Sequence, residues 1–190
     1  MPGAKDSFKK AVRNLKDYIV LVTVDAKKYS ESNMQILKYL VSEQKTPGVY
    51  VTLNKPHDII ERFMDSSKID KRLVIFIDAV TRTEGGESKK IDKCLLIGSP
   101  EKLSDISIAM EQAVKSLPNE KRFVFFDSLN TLAVFNSPST VARFMHFLTA
   151  KMREWKIGGV IISLEKETDP KLLDELTQLS DTMLELGGGR

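Results

Sequence analysis

No glycine occurs between Gly3 and Gly48, and nowhere in this sequence does a lysine directly follow a glycine. The pattern Gly-x-x-x-x-Gly-Lys-Ser/Thr is therefore absent, and with it the usual phosphate-binding loop. In that loop the glycines let backbone N–H groups approach a polyphosphate, and the lysine neutralises its terminal charge. Cysteine is almost missing too. Cys94 stands alone in the apolar run 94–97, so no disulfide can form within the chain and a reducing compartment is expected. By type and setting it reads as a small buried hydrophobe. The longest apolar runs, such as 18–22, fall far short of the ~20 residues a membrane-spanning helix needs. No apolar signal region follows Met1, and the expectation is a cytoplasmic protein with no membrane partner. Charge of one sign is scarce as well: 29 Lys and Arg stand against 26 acidic residues, which argues against nucleic acid as a partner.

What is present is an ordinary globular composition, 42% hydrophobic and 29% charged, in a chain of 190 residues. That length suffices for one buried core and is short for two. Seven β-rich runs stand out, at 18–24, 49–53, 73–77, 94–97, 123–126, 160–164 and 182–186. Most are continuously apolar, which suits strands covered on both faces, as in parallel sheets. Helical periodicity fills the intervals. It runs through Met34, Leu37 and Val41; through Ile60, Phe63 and Met64; and from Leu103 to Leu117. It recurs through Val141, Phe144, Met145, Leu148 and Met152, a stripe read as core, and through Leu172, Leu173 and Leu176. Ser137-Pro138, Asp169-Pro170 and Ser99-Pro100 each set a capping side chain before a helix-starting proline. Gly158-Gly159 is expected to end the long helix before it.

Strand and helix thus alternate, which predicts a three-layer, doubly wound α/β domain with a mostly parallel sheet. One domain is expected over 1–190, with a core at about 18–186 and, within 1–17, an opening helix from about Asp6 to Lys16 that sets Phe8, Val12 and Leu15 on one side. Residues 81–90, polar with a Gly-Gly pair, are expected to form a flexible loop, and the Gly-Gly-Gly-Arg end reads as a tail.

Ligands of such sheets bind at the carboxyl ends of the strands. Those ends offer Asp25, Lys27 and Lys28; Asn54 and Lys55; Asp78; Asp127 and Ser128; and Glu165 to Glu167. Four apolar residues followed by Asp, as in Phe123 to Asp127, is the Walker B pattern, whose carboxylate holds a water on a nucleotide's Mg²⁺. Leu73 to Asp78 fits that pattern equally well. His57 and His146 have no ligand-spaced companions and read as surface or supporting residues. Ser128 lacks the His-Asp partners of a nucleophile.

The run Phe126-Asp127-Ser128-Leu129-Asn130-Thr131-Leu132, with Asn136, Ser137, the helix from Val141 and the strand Gly159 to Glu165, resembles the second half of KaiC-like proteins of the RecA superfamily, especially an archaeal-type branch. Val49 to Pro56 resembles that family's second core strand. The resemblance implies a RecA-like fold, an Mg²⁺ role for Asp127, and a place for Arg143 and Arg153 facing a neighbouring subunit.

Two departures bear on function. The loop that would cradle phosphates reads Val24 to Asn33 without glycine, and Asp25 and Glu31 place negative charge there. A like-charge pair a few ångströms apart costs roughly 1–4 kcal/mol. Where KaiC-like ATPases carry a glutamate pair, this chain has Asn54 and Lys55, neither of which is a carboxylate base. The resulting expectation is a pseudo-ATPase with no cofactor, acting as a regulatory or interaction module that binds a protein partner or itself. One alternative is a divergent ATP-binding protein or weak ATPase. It would hold Mg²⁺ with Asp127 and phosphate with Lys27 and Lys28, with Ser128, Asn54 and Lys55 lining the nucleotide site. Another is a DNA-binding accessory factor related to recombinase paralogues.

Overall fold

Seven strands form the centre of the molecule, every pairing parallel, in the computed structural model, which describes residues 3–81, 92–118 and 121–187. They are β1 (Ile19–Val24), β2 (Gly48–Thr52), β3 (Val74–Asp78), β4 (Cys94–Leu96), β5 (Phe123–Asp127), β6 (Gly158–Leu164) and β7 (Thr182–Leu186). Their spatial order is β4-β3-β2-β5-β6-β1-β7. β1, β2 and β5 are buried along their whole length, as continuously apolar runs require. Apart from Thr81, the loop expected at 81–90 lies outside the described residues, as does the tail beyond Gly187.

Alternate side chains build two cores. Ile19, Leu21, Val49, Val51, Val124, Phe126 and Ile161 face α4 (Leu103–Ser116), α5 (Leu129–Phe135), α6 (Pro138–Glu154) and α7 (Pro170–Leu179). Val20, Val22, Tyr50, Phe125, Val160 and Ile162 face α1 (Ala4–Val12), α2 (Tyr29–Leu37) and α3 (His57–Ser66). Each fully buried large apolar side chain contributes roughly 1.5–3 kcal/mol, so the two layers are what hold the sheet. Tyr50 stacks on Phe125 with ring centroids 5.1 Å apart. The doubly wound α/β expectation is met, and the α6 stripe is core as read.

The caps of α6 and α7 form as expected: Ser137 accepts from Thr140 N, and Asp169 from Lys171 N and Leu172 N. Three expectations need correction. Ser99 starts a turn rather than a helix; its hydroxyl accepts from Glu101 N and its carbonyl from Lys102 N, and α4 begins only at Leu103. Gly158 and Gly159 do not end α6 but lie in β6, where a Cβ on Gly159 would sit 2.6 Å from the Met152 sulfur. Lys156 makes the bend instead, at φ 53°. The opening helix spans Ala4–Val12, earlier than the apolar spacing through Leu15 implied, because Leu15 stays exposed. Lys45, Lys68 and Lys93 also take left-handed backbone ahead of strands, so lysines serve bends that glycine commonly makes.

The winding also locates a site. β2 leaves through α3 over one face, while its neighbour β5 leaves through α5 over the other. The carboxyl ends of β2 and β5 therefore flank the crevice where such sheets bind ligands.

Candidate functional site

Asp127 ends β5 in register with Thr52 of β2. Its side chain is 0% exposed; Oδ2 accepts a hydrogen bond from the Tyr50 hydroxyl, and Oδ1 has no partner among the described residues. Burial pushes the Asp127 carboxyl well above its ordinary range, with no cation among the described residues to offset it. Burial also raises the Tyr50 phenol, partly offset by hydrogen bonding from Asn33. Asn33 reaches in from α2, itself buried, with its Oδ1 unpartnered. Asp127, Tyr50 and Asn33 thus form a dry polar knot beneath the crevice. Ser128, also buried, shares a hydrogen bond of 3.0 Å with the Thr131 hydroxyl in the first turn of α5.

The β1-to-α2 connection is short. Asp25 caps a 3-10 turn over Ala26–Lys28, accepting from Lys27 N at 2.9 Å on its side chain and from Lys28 N at 2.9 Å on its carbonyl. Asp25 N itself donates to the Leu186 carbonyl. Three N–H groups are thereby committed within the protein. Lys27 and Lys28 are exposed, whereas the Asp127 knot is buried. Tyr29, buried at the start of α2, accepts from Asn54 Nδ2 at 2.6 Å, and Lys55 Nζ lies 5.1 Å from its ring centre. The Lys55 carbonyl accepts from the Thr52 hydroxyl. Asn54 and Lys55 are thus brought together around Tyr29.

The other Walker B-like strand ends differently. Asp78 is 0% exposed and accepts from His57 N, Val80 N, Thr81 N and the Thr81 hydroxyl, with His57 Nδ1 at 2.8 Å. Burial alone would raise its carboxyl; the Thr81 hydroxyl and N–H, with the His57 N–H and ring, hold it below the ordinary value. His57 is accordingly not a surface residue. Donor atoms of His57, Asp78 and Cys94 lie within 4.8 Å of one another, a spacing a metal ion could bridge. The chemistry opposes it: both Asp78 oxygens are taken by donors of the chain itself. Asp78 serves instead to anchor the start of α3 and the turn after β3.

Arg153, exposed on α6, donates to the Leu179 carbonyl and both Asp181 oxygens. Arg143 and His146 are exposed on α6. Tyr50, Asn33 and Tyr29 were missed in the sequence. The signal for Tyr50 was a phenol inside an all-apolar strand, whose hydroxyl must find a buried partner. Asn33 had none, since it sits in an ordinary helical stretch.

Among solved structures, a KaiC-like protein of the hyperthermophilic archaeon Pyrococcus horikoshii is similar over 90% of this chain and 72% of its own, with a TM-score of 0.61 at 15% identity. At that identity the likeness is one of fold: the chain has the α/β architecture of a KaiC-like, RecA-type protein. No curated protein matches the sequence. Among the described residues, no helix is long and apolar enough to cross a membrane. A model described as a family of unknown function, DUF7504, matches residues 20–186, and the chain belongs to that family.

Proposed function

We propose that this chain is a pseudo-ATPase: a KaiC-like, RecA-fold module of the archaeal-type branch with a degenerate Walker A segment. On this reading it works by contact with a protein partner or a second copy of itself, not by hydrolysis. The observation that carries the reading is the burial of Asp127. A carboxylate that holds the water of a nucleotide-bound Mg²⁺ must be ionised and reachable. Asp127 is sealed from solvent, bonded to Tyr50, and favoured in its neutral form. The phosphate side does not fit either, because the turn after β1 spends its N–H groups on Asp25 and on Leu186. Asn54 and Lys55, engaged with Tyr29, supply no carboxylate base. The residues present do not suit an Mg-nucleotide. Support for contact comes from the helical layer of α4 to α6, where Ile108 (55%), Val134 (78%) and Phe147 (47%) are apolar yet exposed.

The test is thermal stability of the full chain with and without MgATP, alongside Lys27→Ala/Lys28→Ala. No Mg²⁺-dependent stabilisation is expected. A saturable rise in Tm that requires Mg²⁺ and disappears in that double variant would refute the proposal, since ligand binding to the folded state must stabilise it.

A further inference from the structure

Positive charge is gathered at the end of the sheet opposite Asp127. A cavity of about 880 Å³ opens there at the amino ends of the strands, against Tyr18 before β1, Thr46 before β2, Phe123 of β5 and Gly158 of β6. One wall carries Lys9, Lys10, Arg13 and Lys16, from α1 and the residues after it. The other carries Lys121, Arg122 and Lys156, which precede β5 and β6. Asp6 and Asp17 are the acids among the lining residues. Seven cations against two acids leave a local excess of five, in a chain whose net charge is +3; the rest of the sequence therefore carries a net −2. Charge is not spread over this protein but concentrated in one concavity, which focuses the field there.

None of the seven has an ion-pair partner among the described residues, while Lys5, Lys71, Lys115, Lys151 and Arg153 each have one. Lys9 and Arg13, four residues apart at the end of α1, share a side of the wall. Arg122 is held in place by the Val114 and Trp155 carbonyls. Tyr39 and Leu40 supply an apolar floor. The volume falls in the range of small-molecule sites, roughly 300–1,000 Å³.

The geometry points to a binding site for a compact polyphosphate anion, a nucleotide or an inorganic phosphate chain, at the amino-terminal end of the sheet. Phosphate groups engage the two cationic walls, and the aromatic floor receives the uncharged part when there is one. The site is independent of the pseudo-ATPase reading, which concerns the opposite end.

The experiment is calorimetric titration of the full chain with sodium tripolyphosphate, and separately with ATP, in EDTA so that no metal masks the phosphates. Saturable binding is expected, weakening as NaCl rises from about 50 to about 300 mM. Two charge-reversal variants, Lys9→Glu/Arg13→Glu/Lys16→Glu and Lys121→Glu/Lys156→Glu, each weaken it by about tenfold or more. Lys27→Ala/Lys28→Ala leaves it unchanged. Because the variants lie on different walls, misfolding of one, visible by circular dichroism, leaves the other to decide. ATP tighter than tripolyphosphate identifies a nucleotide, and equal affinity an inorganic chain. No saturable heat, full binding in a folded charge-reversal variant, or loss in the Lys27/Lys28 variant overturns the proposal. So does tighter binding of a labelled oligonucleotide of about 15 residues, which makes nucleic acid the occupant.

Discussion

Replacing Asp127 with Asn keeps the size of the group and removes its proton, so it tests the state of this carboxyl directly. The folded-state value is raised by burial, above the ~3.9 expected of an unfolded aspartate. Between those two values the native protein holds a proton that the unfolded chain has released. Stability contributed by the protonated form is full below about pH 4 and is lost as pH rises toward the folded value. The slope is about 1.4 kcal/mol per pH unit. Between about pH 5 and about pH 7 the wild type should therefore lose stability relative to Asp127→Asn, by about 3 kcal/mol at most. All other groups titrate alike in the two proteins, so the difference isolates one residue.

The assay is urea unfolding followed by circular dichroism, with both proteins at several pH values across that window. The expected result is a pair of curves that diverge as pH rises, the variant becoming relatively more stable. The pH at which divergence stops reports the folded-state value. Parallel curves would refute the reasoning. They would mean that Asp127 is ionised in the native state at its ordinary value, as a metal-ready carboxylate must be, and the pseudo-ATPase proposal would lose its main support.

Four further outcomes follow from the geometry. Asp78→Ala strips the acceptor from the donors of His57, Val80 and Thr81, and should cost at least about 3 kcal/mol, read as a fall in Tm. Because the folded Asp78 carboxyl lies below its ordinary value, its contribution is present above about pH 4 and lost as acid protonates it, so Asp78→Asn should flatten stability on the acid side. Gly48→Ala places a methyl 2.4 Å from the Phe123 ring and should cost about 1–3 kcal/mol by overpacking, while a paired Phe123→Leu should recover part of that loss. Cys94, buried and with its thiol raised to about 12, should react with a thiol reagent at mildly alkaline pH only as fast as the protein opens, and fast reaction in the native state would contradict its placement.

The strands were legible because burial on both faces demands largely apolar residues, and the runs Ile19–Val24 and Phe123–Asp127 supply them. Boundaries failed where a bend had two solutions. Gly158-Gly159 carried the usual signature of a helix end, but close packing against Tyr18 and Met152 claimed both glycines for the strand, and Lys156 took the left-handed turn. The candidate site was half legible. Asp127, Asn54 and Lys55 could be placed by pattern and resemblance. Tyr29, Asn33 and Tyr50 could not, because each acquires its meaning from a partner distant in sequence: Asn54, Tyr50 and Asp127 respectively. The cationic cavity was hidden for a different reason. Its charges come from three separate stretches of a nearly neutral chain, and a net charge of +3 averages them away.

The substitutions around Asp127 are physically coupled rather than independent. A buried carboxylate is tolerable only if a cation, a set of donors or a proton neutralises it. Asp78 takes the second route, with donors from His57, Val80 and Thr81, and its carboxyl falls. Among the described residues Asp127 has one donor, Tyr50, and no cation beside it, so the proton is the route left to it there. On the proposed reading, once the phosphate-binding loop was gone no metal remained to charge that position. Tyr29 could then close over Asn54 and Asp25 could turn its chain back on itself. The same reasoning sets what restoration would require. Returning glycines and a lysine to the Val24–Asn33 segment alone would leave Asp127 dry and neutral, so nucleotide binding at this end should also need Tyr50 removed as its partner and Tyr29 cut back to admit water.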